Sequence, residues 1–146
     1  MENEKVCAIL NELLAGEQQA AAPRILESTV YVSQLAVAEL PVAQRIARQT
    51  HSNSEELAEL ILDLGGVPEP SVPDVATAHL HFQDLHRLLP LLIDDHEKLI
   101  RKYEIAAERV ASKPRTQELV TRILQRHQEE LRELRQLLGL TPEVQS

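Results

Sequence analysis

Aromatic side chains are nearly absent from this sequence, which holds two tyrosines, one phenylalanine and no tryptophan. A small sheet protein usually fills its pleated faces with aromatic and β-branched residues. Here Ala, Leu, Glu, Gln and Arg dominate, the residues that lose least free energy in a helix. Glycine occurs only four times, as punctuation between segments. The predicted class is therefore all-α. At 146 residues the chain can bury one hydrophobic core and is too short for two, so a single domain spanning 1–146 is expected.

Apolar residues recur at helical spacing through four segments. The first covers about 3–33, with Val6, Leu10, Leu13, Leu14, Ala21, Ile25 and Val32 on one stripe. Pro23 lies inside it and predicts a kink or a break, since an interior proline costs about 3 kcal/mol. The second opens at Pro41, a residue suited to a first helical turn, and stops at Gly65-Gly66 ahead of Pro68. Its stripe is Val42, Ile46, Leu57, Leu60, Ile61 and Leu64. Ser52-Asn53-Ser54-Glu55 resembles a capping box that would start a shorter helix, but the phase of Val42 and Ile46 continues through it. One continuous helix is the preferred reading.

Residues 66–73 (GVPEPSVP) form a proline-rich crossover. The third segment covers about 74–111, with Leu85, Leu88, Leu92, Leu99, Tyr103, Ala106 and Val110 in phase and a bend expected at Pro90. The fourth opens after Ser112-Lys113 at Pro114 and carries Leu119, Ile123, Leu124, Leu131, Leu134 and Leu138 to Gly139. Two hairpins of long helices bury their stripes most simply as an antiparallel four-helix bundle.

The balance of 15 basic and 23 acidic residues gives a formal charge of −8 with no basic tract, which argues against nucleic acid as a partner. No apolar run approaches the ~20 residues of a membrane span, so no membrane partner is expected. The single cysteine, Cys7, excludes an intrachain disulfide and a Cys-rich metal site; beside Val6 and Leu10 it reads as a buried, inert thiol. The acidic, amphipathic start differs from a signal peptide, and a cytoplasmic location is expected. Ala36, Ala38, Ala43 and Ala47 suggest a face that pairs, predicting a homo-oligomer, dimer or larger.

The informative positions are those where an apolar stripe is interrupted. Glu17 falls between Leu13/Leu14 and Ala20/Ala21; Thr50 and Asn53 fall between Ile46 and Leu57. Asp95 and His96 fall between Leu92 and Leu99; His127 and Glu130 interrupt Ile123/Leu124 and Leu131/Leu134. Each interruption lies near mid-segment, so an antiparallel bundle places them at a similar level. Buried carboxylates and imidazoles need partners, because unpaired burial costs several kcal/mol. A shared divalent cation supplies one, and a salt-bridged or watery polar layer is the other reading, as is a face that meets a partner.

Leu10-Asn11-Glu12-Leu13-Leu14 followed by Glu17 resembles the start of the bacterioferritin first helix, whose glutamate is an iron ligand. Glu59 through Pro68 resembles the end of its second helix and the turn beyond, and Ile123-Leu124 through Leu134 resembles its fourth helix. The chain is thus similar to the ferritin-like superfamily. That resemblance implies a four-helix bundle with a long crossover between helices two and three. It also implies a di-iron centre held by one Glu from each of two helices and Glu-x-x-His from each of the other two.

Carried across, Glu17 matches the first-helix ligand. Thr50 and Asn53 stand at the second-helix Glu-x-x-His positions, and neither is a normal iron ligand. Asp94 or Asp95 stands where a third-helix glutamate is expected, and His127 and Glu130 carry the fourth-helix ligand types in reversed order. A shifted register would bring in His51 and Glu55; Glu55 and Glu59 then resemble the acidic pair of Dps-type mini-ferritins. Haem, held in bacterioferritin by a second-helix methionine, is not expected, since the only methionine is Met1 and His51 stands at the matching position.

The expected metal ligands are therefore Glu17, Asp95, His96, His127 and Glu130. The expected metal is iron, with manganese or zinc as alternatives. The implied activity is iron(II) oxidation by oxygen or related non-haem di-iron redox chemistry. The alternative is a ferritin-like bundle without its metal centre, serving as a structural or interaction module. His79, His81 and His86 read as scattered solvated histidines, and the Arg122, Arg126, Glu129, Arg132 and Glu133 group as a charge-laced solvent face. No nucleotide-binding or Ser-His-Asp signature is present.

Overall fold

The stop signal after the second segment acts as its sequence predicts. Gly65 adopts φ +86°, a region that favours glycine, and the Gly66 N–H closes the helix end on the Ile61 carbonyl at 2.9 Å. Gly66 is also a point of close approach. A Cβ there would stand 2.6 Å from Cys7 Sγ and 3.1 Å from Ile61 Cγ2. Because Cys7 is buried, Gly66→Ala is expected to destabilise the protein by about 1–3 kcal/mol in chemical denaturation. Shortening the opposing residue as well, with Cys7→Ala, should recover part of that loss.

The computed structural model describes residues 2–22, 39–71 and 85–139. Among these lie four α-helices and no strand: α1 (Asn3–Gln18), α2 (Glu39–Asp63), α3 (Leu89–Arg109) and α4 (Pro114–Leu137). A 3-10 turn, Leu85–Leu88, leads into α3. No described helix is long and apolar enough to cross a membrane. The expected kink at Pro23, the crossover beyond Ser71, Ala36, Ala38, His79, His81 and the side chain of His86 lie outside the described residues.

Cross-chain contacts fix the directions of the helices. Cys7 near the start of α1 touches the Ile61 carbonyl near the end of α2, while Glu17 at the end of α1 meets Asn53 further back. These two helices are antiparallel. So are α3 and α4, which join Glu97 to Arg135 at one end and the Ala107 carbonyl to Gln117 at the other.

Three local expectations need correction. α1 ends at Gln18, before Pro23, and the backbone turns there before helical geometry resumes at Ala21. The Gln18 and Gln19 side chains tie this turn to Ser71. Pro90 bends nothing: it sits in the first turn of α3, where its fixed φ fits and no backbone N–H is needed. Ala43 and Ala47 are buried in the bundle, so they form no outer face. The continuous second helix holds, with α2 running unbroken through Ser52–Glu55.

The apolar core falls into two halves. One gathers Leu10, Leu14, Leu57, Ile61, Leu99, Tyr103 and Ile123; the other gathers Ile46, Leu88, Leu89, Leu92, Leu131 and Leu134. Between them every helix carries buried polar residues.

Candidate metal centre

The polar layer comprises Glu17 from α1, Thr50 and Asn53 from α2, His96 from α3, and His127 and Glu130 from α4. Positions three apart on a helix share a face, so His127 and Glu130 project together. His127 Nδ1 lies 3.0 Å from Glu130 Oε1. From α3, His96 Nε2 reaches the same oxygen at 3.0 Å. The two rings meet edge to face, with centroids 5.2 Å apart.

The outer ring nitrogens are held as well. His127 Nε2 lies 2.9 Å and 3.2 Å from the two Glu17 oxygens, and His96 Nδ1 faces the Leu92 carbonyl at 3.3 Å. All four ring nitrogens therefore face oxygen acceptors, although a neutral imidazole carries only one N–H. At His127 the inner nitrogen either carries a second proton to Glu130 or turns a lone pair toward a cation.

Electrostatics favour positive charge here. Burial opposes an imidazolium at His127, but the Glu17 charge and hydrogen bonds to Glu130 and Glu17 outweigh it, pushing the pKa up to about 10. Burial likewise opposes a Glu130 carboxylate, yet hydrogen bonds from His127 and His96 hold its pKa below the usual value. Glu130 Oε2 is buried with no hydrogen-bond partner. The ring of Tyr103 stands 5.4 Å from that of His127. Its hydroxyl closes no hydrogen bond of ordinary geometry; burial, then the nearby Glu17 carboxylate, keeps its proton bound far above the usual phenol range.

The α2 side differs in kind. The Thr50 hydroxyl donates back to the Ile46 carbonyl at 2.9 Å. Asn53 donates its amide to Glu17 Oε1 at 2.6 Å, while its own oxygen accepts from Arg126 Nη1 at 2.9 Å. Arg126 also pairs with Glu56 at 2.6 Å.

Of the five expected ligands, His96, His127 and Glu130 bring donor atoms within 4.8 Å of one another. Glu17 joins the cluster from behind His127. Asp95 is engaged elsewhere: its Oδ2 accepts the Ala21 N–H at 3.0 Å, and burial raises its pKa against that bond. His51, Glu55 and Glu59 are exposed, so the shifted register adds nothing to the layer. Arg126 and Tyr103 escaped sequence reasoning, the first because it reads as solvent-facing and the second as ordinary core. Arg126 directly precedes His127, and that adjacency to an interrupting residue was the available signal.

The donor set does not fit two metal ions. A second ion needs anionic or lone-pair donors from α2, and Thr50 and Asn53 supply a committed hydroxyl and an amide turned N–H first. The set fits one ion, because one donor atom from each of two imidazoles and a carboxylate converge, and the second Glu130 oxygen is buried without a hydrogen-bond partner.

A solved structure described as a ferritin-like, diiron-carboxylate protein from Bacillus anthracis matches this chain with a TM-score of 0.71 at 24% identity, over 94% of this chain and 96% of the other. The search of curated proteins finds no match. The ferritin-like domain family matches residues 7–144. With that match and this helical order, the chain belongs to the ferritin-like family.

Proposed function

We propose that the protein binds a single divalent transition-metal ion, with iron the principal candidate and manganese and zinc as alternatives. His96, His127 and Glu130 are the ligands. One observation carries the reading: both imidazoles turn one nitrogen to Glu130 while an acceptor holds the other. With neutral rings, the outer protons go to Glu17 and the Leu92 carbonyl, and both inner lone pairs face one point. Metal-ligating histidines are oriented in this way, with the distal N–H given to a carboxylate or carbonyl. Charge supports it too. Exchanging the His127 proton for a divalent ion balances the buried carboxylates Glu17 and Glu130.

Glu17 then serves as the positioning carboxylate for His127 rather than a direct ligand. An ion held by two histidines and one carboxylate keeps open positions, so it can act as a Lewis acid or a non-haem redox centre. The two-iron ferroxidase implied by the resemblance gains no support from α2.

Dialysis of the apoprotein against Fe(II), Mn(II) or Zn(II), followed by elemental analysis, tests the reading. One ion per chain and a raised thermal midpoint are expected, since an ion that binds only the folded state stabilises it. If none of the three metals is retained, the reading is overturned. The second reading, a metal-free bundle acting as an interaction module, is favoured by one observation, the closed Glu17–His127–Glu130–His96 ion-pair chain. Retention of no metal is its expected result.

A further inference from the structure

We infer that Arg126, acting through Asn53, limits this bundle to one metal ion. The inference rests on the single-ion reading and explains its stoichiometry. Arg126 has only N–H groups to offer, so it takes the Asn53 oxygen and turns the amide NH2 toward Glu17. Glu17 then receives N–H groups from Asn53 on α2 and from His127 on α4. Both Glu17 oxygens are thus engaged by N–H groups, and the Asn53 amide turns its hydrogens rather than a lone pair toward a cation there.

The guanidinium adds a fixed charge that does not titrate at physiological pH. It is only 24% exposed and is locked by Glu56, which Arg122 also approaches at 3.7 Å. A second cation beside Glu17 would face this charge one amide away. His127 escapes the same effect because its inner nitrogen lies on the opposite side, toward Glu130 and His96. The Arg126 guanidinium bonds Asn53 and Glu56 rather than a ligand; it is a positioning residue that sets how many ions fit.

The test counts ions. Co(II) is titrated into the full chain and followed by its visible absorption, with elemental analysis after dialysis and helical content measured by circular dichroism. The wild type is expected to bind one equivalent. Thr50→Glu/Asn53→His restores donors on α2 but keeps the guanidinium, and should still bind one. Adding Arg126→Gln to that pair should raise the count to two.

Should the triple variant lose its helical signal, Asn53→Asp against Asn53→Asp/Arg126→Gln makes the same comparison with smaller changes, again one against two. Two equivalents in the wild type, or in either variant that retains Arg126, overturn the inference and leave metal binding intact. A count that stays at one in a folded variant lacking Arg126 also overturns it. No binding by the wild type overturns the single-ion reading itself, and the inference with it.

Discussion

Replacing His127 with leucine will lower the stability of the metal-free protein by about 3–5 kcal/mol, the cost of leaving buried charges without their partner. His127 is fully buried and pairs with both Glu17 and Glu130. Without it, two buried carboxylates are left with Asn53 on Glu17 and His96 on Glu130. Neutralising them in the same chain, with Glu17→Gln and Glu130→Gln, should recover most of the loss, since an uncharged, well-packed layer can match a buried ion pair.

The pH dependence supplies a second signature. In the folded state the His127 pKa is raised from 6.5 to about 10 by Glu17 and Glu130, despite burial. Its contribution is fully present below about pH 6.5 and is lost as pH rises through about 10. The Glu130 pKa is lowered from 4.5, so its contribution is present above that value and fades as pH falls below it. Urea denaturation across this range should show the alkaline decline in the wild type and not in the leucine variant. A loss under about 1 kcal/mol, or parallel curves, would show that the network carries little of the stability.

The helical pattern carried much of this structure in plain view. A period near 3.6 makes an interrupted apolar stripe easy to see, and the six buried polar residues of the layer are all interruptions of that kind. Their common level was legible for Thr50, Asn53, His127 and Glu130, which lie toward the middle of α2 and α4, whereas Glu17 reaches it from the end of α1. Asp95 also interrupts a stripe, but α3 places it toward the chain turn after α1, where a backbone N–H captures it. One residue of rotation on a helix, about 100°, separates it from His96.

Roles were harder to read than positions. Glu17 and Glu130 are the same residue type in the same layer, yet Glu17 accepts N–H groups at both oxygens while Glu130 keeps one oxygen free of partners. That difference arises from Asn53 on α2, whose amide Arg126 on α4 orients toward Glu17. Arg126 was hidden for a simpler reason. Its long stem can start on an outer face and carry the charge inward, so periodicity of Cα positions misassigns its head group. Pro90 shows the limits of local rules: a proline marks a boundary, and only the neighbouring turns decide whether that boundary is a bend or a beginning.

Glu130→Gln is expected to reduce affinity for Zn(II) by about 100-fold or more, beyond the 10–100-fold expected of Glu17→Gln. The two substitutions change the same atoms in the same layer and both leave the side-chain volume nearly unchanged, so they separate ligand from support. Glu130 supplies the carboxylate that both inner ring nitrogens address, and its Oε2 is free of other bonds. An amide there keeps one neutral acceptor and adds a donor that faces the ion. Among the three ligands Glu17 meets His127, at its outer nitrogen, so its loss relaxes that ring without removing a donor atom. Competition titration with a zinc-sensitive dye, on samples shown to be folded by circular dichroism, gives the two ratios directly. Equal losses would place Glu17 on the ion beside Glu130, and a larger loss for Glu17→Gln would reverse the assignment of the two carboxylates.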